Sequence, residues 1–193
     1  MDKRVKSAPT TQDFDREFRA QLAQMTAGLA PTAFTTAWAD WVMHLALSPA
    51  KRQELREHAL ERSQDTWAFA LKALAGEPVP PSAGLDAGAD RRFGSSAWTQ
   101  FPFNVYARAW QNSAALMSEA VRDVGGVTDY HAQLLEFAVR MLLDASSPSN
   151  YLASNPELLT LTLTEQGQNL VRGVQHWVED LKRTVQGDVP SGT

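Results

Sequence analysis

The 193-residue chain has no cysteine. That single absence removes disulfides, thiolate nucleophiles and cysteine metal ligands together. It also fits a reducing cytoplasm, the compartment expected here. Long apolar runs are missing too. No stretch of roughly 18 uncharged apolar residues occurs, so no membrane span is expected. The opening Met-Asp-Lys-Arg-Val-Lys-Ser is charged, but no apolar segment follows it, so no secretory signal is expected either. Basic residues are few, with 18 Lys and Arg against 22 Asp and Glu, and they form no block. A chain of net charge −4 lacks the electrostatic footprint of a nucleic-acid binder.

Catalytic signatures are equally scarce. Neither G-x-S-x-G nor G-x-C-x-G occurs, and no glycine-rich phosphate loop is present. Gly94-Ser95-Ser96 has no strand before it and reads as a turn and helix cap. The four histidines, His44, His58, His131 and His176, never pair at i+3 or i+4, and none belongs to H-E-x-x-H. They read as helix-surface or boundary residues, with His131 and His176 as packing groups with a polar tip. The acidic pairs Asp13/Asp15 and Glu54/Glu57 read as solvated helix faces. No cofactor and no metal are expected.

What the chain does have is large apolar residues at helical spacing. Six tryptophans and eight phenylalanines argue for a packed core. Phe14, Phe18, Leu22, Met25 and Leu29 form one stripe. Phe34, Trp38, Trp41, Val42 and Leu45 form the next, which stops at Ser48-Pro49. Leu55, Ala59, Trp67, Leu71 and Leu74 follow, closed by Gly76. Phe103, Tyr106, Trp110, Ala114, Met117, Val121 and Val124 predict a long helix ended by Gly125-Gly126. After Thr128, residues Leu134, Leu135, Phe137, Ala138, Met141 and Leu142 cover most of a helix's girth, which predicts a central position in the core. Asn155-Pro156 starts a short helix that takes in the β-leaning run Leu161–Thr164. After a turn at Gly167, Leu170, Val174, Trp177, Leu181 and Val185 mark the last helix. Trp110 and Trp177 are both expected in the core.

These patterns predict an all-α fold, an irregular bundle of about six to seven helices. Residues 77–89 hold three prolines and two glycines and read as a linker. The expected organisation is a disordered leader (1–10), a helical arm (11–76), that linker, a more compact helical unit (90–186) and a tail (187–193).

One series of short motifs stands out. Asp90-Arg91-Arg92-Phe93 is followed by Trp98 and an aromatic-rich helix. Further on come Asp144-Ala-Ser-Ser-Pro148-Ser-Asn150-Tyr151-Leu152-Ala-Ser-Asn155-Pro156-Glu157, then Gly167-Gln-Asn-Leu170-Val-Arg172-Gly173 and Glu179-Asp180-Leu181. In this order and spacing, from about Ser48 to Lys182, the chain resembles the N-terminal region of polyhydroxyalkanoate (poly-3-hydroxybutyrate) synthases of the class acting on short-chain hydroxyacyl-CoA. Where that family usually has two adjacent glycines before the last helix, Gln166 stands in place of the first. The nucleophilic cysteine, aspartate and histidine of the family's catalytic α/β-hydrolase domain are not in this chain.

The resemblance implies a non-catalytic domain working in polymer biosynthesis by assembly, granule attachment or docking of the catalytic domain. An independent granule-associated adaptor or coat protein is the alternative. The implied partners are the catalytic synthase domain or subunit, a second copy, and the polymer granule surface. The motif residues Asp90, Arg91, Arg92, Phe93, Trp98, Asp144, Pro148, Asn150, Asn155, Pro156 and Gly167 read as structural or docking groups. Arg91 or Arg92 could pair with Asp144.

Overall fold

The computed structural model describes residues 31–77, 79–81 and 90–186. The expected leader, the 14–29 stripe, most of the linker and the tail lie outside these. Among the described residues six α-helices follow one another: α1 (Pro31–Ala46), α2 (Pro49–Leu74), α3 (Phe103–Val121), α4 (Asp129–Ala145), α5 (Pro156–Thr164) and α6 (Gln168–Gln186). Three short 3-10 turns sit at Arg91–Phe93, Ser96–Thr99 and Pro148–Asn150. The fold is all-α, with no strand among the described residues. Pro31, Pro49 and Pro156 each open a helix, where a missing N–H costs no hydrogen bond.

Two compact units form. Among the described residues, one comprises 31–56 with 117–140, the other 57–77, 79–81 and 90–116 with 141–186. The boundaries between them fall within α2, α3 and α4.

In the first unit, Ala37, Val121, Leu134 and Leu135 make the core, with Ala33, Trp41 and Val139 against them. The Trp41 indole donates to the Ala120 carbonyl at 2.8 Å, which satisfies its polar end while its rings pack. Asp40 joins α1 to α4. Its Oδ2 lies 2.6 Å from Nδ1 of His131, and its Oδ1 lies 3.0 Å from Nδ1 of His44. Gly126 has φ +97°, and a Cβ there would run into the His44 ring. Conformation and close approach both demand glycine at that position.

The His131 hydrogen bond is the main reason the Asp40 carboxyl titrates below its usual range; burial opposes it, and Thr128 and His44 reinforce it. A carboxyl with a depressed folded-state pKa contributes stability above its unfolded pKa, and that contribution fades as pH falls through the folded value. Acid titration below about pH 4 is therefore expected to loosen this unit. Asp40→Asn should flatten that limb of the stability curve, measured by helical ellipticity against pH. An unchanged acid limb in the variant would contradict this.

The second unit is built around Phe93, Trp98 and Ala107, with Phe103 and Trp110 packed on them. Phe93 meets Trp98 edge-on at 4.8 Å and Trp110 at 5.6 Å. Trp110 thus takes its expected place.

Trp177 does not: it is 64% exposed. The α2 stripe also runs the other way from expectation. Phe69 and Ala73 are its buried residues, while Trp67, Leu71 and Leu74 face outward. In α4, Phe137, Met141 and Leu142 are exposed and only Leu134, Leu135 and Leu143 are buried, so that helix is covered on one side only. Periodicity finds an apolar face; it does not say whether this chain supplies the cover.

Candidate functional site

The motif residues converge in the second unit. Asp90 caps the turn Arg91–Phe93, accepting from the Arg92 amide at 3.0 Å. The same carboxylate accepts from Arg92 Nε at 3.1 Å and from Nη2 at 2.8 Å. Arg92 Nη1 reaches 52 residues along the chain to Asp144 at 3.0 Å. Its guanidinium also lies over the Trp110 ring, 4.6 Å from the centroid. Only arginine's planar fork can engage two carboxylates and an indole face at once. Arg92 is the member of the pair that meets Asp144, and Arg91 is exposed. Phe93 and Trp98 are buried beneath the clamp.

The far side of the corner is locked by asparagines. Asn150 donates to the last carbonyls of α4, Asp144 at 2.7 Å and Ala145 at 3.4 Å. Asn155 caps α5, accepting from the amides of Glu157 and Leu158, and its Nδ2 donates to the Ser149 carbonyl at 2.7 Å. Pro148 starts the 3-10 turn and Pro156 is buried at the start of α5.

The turn at Gly167 carries a local cost. The Gly167 amide donates to the Thr162 carbonyl at 2.8 Å, the 6→1 bond of a Schellman cap. The left-handed residue inside that cap is Gln166, at φ +51°. Glycine belongs there on steric grounds, since a side chain in that conformation costs about 1–2 kcal/mol. Gln166→Gly is expected to raise stability by up to about 1 kcal/mol after glycine's larger unfolded-state entropy is deducted. A urea midpoint that stays level or falls would contradict this.

A second polar group was not foreseen. Asn104, Arg108 and Asn112 recur every fourth residue on α3 and are all buried. Arg108 is 3% exposed and holds Asp65 on α2 by two bonds, 2.7 Å from Nε and 2.6 Å from Nη2. Nη1 donates to the Pro81 carbonyl at 3.1 Å, and the guanidinium faces the Phe69 ring. Asn112 donates to Asp65 and Thr66, and Asn104 to the carbonyls of Thr99 and Val79. Residues 79–81 of the proline-rich segment are thereby tied to α3. The i, i+4, i+8 recurrence of polar residues in an otherwise apolar helix is the sequence signal for this face.

Both clusters are chemically quiet. A general base useful near neutrality needs a pKa close to the working pH. The Arg108 hydrogen bonds hold the Asp65 carboxyl low against burial, with help from Asn112. Burial raises Asp90, but the Arg92 hydrogen bonds, backbone amide and charge together outweigh it and leave it below the ordinary range. Asp90 in turn is the main reason Arg92 is held more firmly protonated. Next to the Asp65 network, a cleft of about 250 Å³ opens between Arg62, Trp67, Asn112 and Leu116. That is smaller than the usual small-molecule pocket. No group of three metal-ligating side chains occurs among the described residues. No described helix is long and apolar enough to cross a membrane.

The described residues form an all-helical fold in which Asp90, Arg92, Asp144, Asn150 and Asn155 are hydrogen-bonded around one corner. Residues 89–191 match the family described as poly-beta-hydroxybutyrate polymerase (PhaC) N-terminus, and residues 9–51 match poly-beta-hydroxybutyrate polymerase N terminal. The chain belongs to this family of polymerase N-terminal regions. It is 29% identical over 185 residues to the poly(3-hydroxyalkanoate) polymerase subunit PhaC of Rhizobium meliloti (strain 1021), covering 92% of this chain and 30% of that protein. It is 36% identical over 122 residues to the poly(3-hydroxyalkanoate) polymerase of Methylorubrum extorquens, covering 60% and 19%. The PhaC subunit of Cupriavidus necator (strain H16) is 28% identical over 145 residues, covering 75% and 23%. The chain therefore spans less than a third of the length of these curated relatives. No solved structure matches it significantly.

Proposed function

We propose that the chain is a non-catalytic partner in polyhydroxyalkanoate synthesis, supporting the catalytic part of a polymerase and holding it near the polymer. The observation that carries this reading is the family match over most of the chain, joined to the absence of any cysteine. In this reading residues 90–186 are the helical domain. The motif corner, from the Arg92 clamp to Asn155, keeps the domain's shape. The cytoplasmic surface of a polymer granule is its working place. Contact with the granule falls to the outward stripe of α2, Leu60, Trp67, Leu71 and Leu74, all of them exposed and spaced along one helix face.

Two measurements test it. The purified chain is expected to release no free CoA from 3-hydroxybutyryl-CoA above the buffer rate; a steady release would overturn the non-catalytic reading. The chain should also sediment with polyhydroxybutyrate granules, and Trp67→Glu with Leu71→Glu should leave it in the supernatant. Loss of binding with retained helicity supports granule contact; equal sedimentation by the variant rejects this face.

A further inference from the structure

The cleft of about 250 Å³ beside the Asp65 network takes no part in the motif corner. Two helix faces make it, and all of it lies within the second unit. Ala59, Ser63 and Thr66 line it from α2, and Ala109, Asn112 and Ser113 from α3. These side chains are too short to fill the groove between the two helices, so a slot remains. Water in the liquid takes about 30 Å³ per molecule, which makes the slot worth about eight waters, or an organic molecule of roughly eight to ten non-hydrogen atoms.

The floor is polar and fixed. Asn112 is 5% exposed, and its amide donates to Asp65 at 2.7 Å and to Thr66 at 2.8 Å. A floor held by a buried network does not relax into the space beside it. Ser63 and Ser113 donate their hydroxyl protons to the Ala59 and Ala109 carbonyls, at 2.7 and 2.8 Å. With those protons spent on the helix backbone, both oxygens keep lone pairs for an incoming donor.

Arg62 brings a cation to the cleft, and its charge also acts on the Asp65 carboxyl. A guanidinium carries five N–H donors in a planar fork, enough to serve neighbours in the chain and an entering carboxylate together. Trp67 and Leu116 add apolar walls. Trp67 is 72% exposed, which leaves most of its ring to be covered. A doubly charged phosphate suits this set poorly, because Asp65 stands close by to repel it. One negative charge, a flat apolar body and a hydroxyl donor match the lining.

We propose that this cleft binds a small aromatic carboxylate bearing a hydroxyl. The carboxylate meets Arg62, the ring lies against Trp67 and Leu116, and the hydroxyl donates to Ser63 or Ser113. The inference uses only α2 and α3 and stands apart from the polymerase reading. The test is titration of the full chain with sodium 4-hydroxybenzoate, followed at the Trp67 indole N–H by nitrogen–proton correlation spectra, with Trp67→Phe to assign that resonance. Saturable binding with a dissociation constant on the order of 1 mM or below is expected for a ligand of this size. The amide 4-hydroxybenzamide, which has the shape without the charge, should bind at least about 10-fold more weakly, and benzoate, which lacks the hydroxyl, at least about 3-fold. Ser113→Leu fills the slot from an exposed position and should abolish saturation with helicity unchanged. That variant leaves the outward stripe of α2 intact, so it should still sediment with granules, and the two readings fail separately. The amide and benzoate comparisons use the unaltered chain, so they stand whatever a substitution does to folding. No saturation of the parent chain at roughly 20-fold that concentration overturns the proposal. So does equal binding of 4-hydroxybenzamide or of benzoate, or binding untouched by Ser113→Leu.

Discussion

Trp98→Ala is expected to lose about 3–5 kcal/mol of unfolding free energy, read from the urea transition. Trp98 is completely buried and packs on Phe93 at the centre of the second unit. Truncation removes a large apolar area and leaves a cavity that Phe93, Ala107 and Trp110 can close only in part. Trp98→Phe should lose clearly less. It keeps most of the packing and deletes an indole N–H that has no hydrogen-bond partner. Trp177→Ala is the contrast. On an exposed face it should leave monomer stability within about 0.5 kcal/mol. A melting curve for Trp98→Ala that overlays the parent's would mean the core lies elsewhere.

The second large effect belongs to Asp65. Asp65→Ala should destabilise the chain by about 3 kcal/mol, because Arg108 keeps its charge in a buried place without its carboxylate. The figure sits at the low end for buried pairs because the Asp65 side chain is 38% exposed and partly screened. Replacing both residues, Asp65→Leu with Arg108→Met, should recover most of the loss, since the desolvation cost vanishes with the charge. The pH dependence follows from the depressed Asp65 carboxyl. Its contribution is present above the unfolded carboxylate pKa and fades as acid carries the solution below it. A double variant no more stable than the single one would show that the network is worth more than an apolar replacement.

Much of the helix pattern was legible because local chemistry decides it. The boundary at Ser48-Pro49 and the cap at Asn155 are set by residues within a turn of the event; the expected stop at Gly125-Gly126 came too late, since α3 ends at Val121 with Asp123 left-handed at φ 55°. The Arg92–Asp144 pair was legible as one of two choices, since either arginine had the charge and only the turn at Asp90 selects which one points back. The Arg108 network was missed because a polar residue on an apolar helix reads as a solvated position until a partner from 43 residues away is seen. Trp177 was misplaced because its stripe is indistinguishable from a core stripe.

Composition and periodicity by themselves determined that this protein is helix-rich and holds no thiol, and the order of its short motifs carried the resemblance to its family. Those properties depend on residue type and on spacing within one or two turns, which the chain states directly. Tertiary structure alone decided which apolar faces are covered. It buried Phe69 rather than Trp67 and sank Arg108 against Asp65, while α6 kept its stripe outward. Burial is a relation between distant segments, and a hydrophobic face has the same sequence whether its partner is the same chain or another.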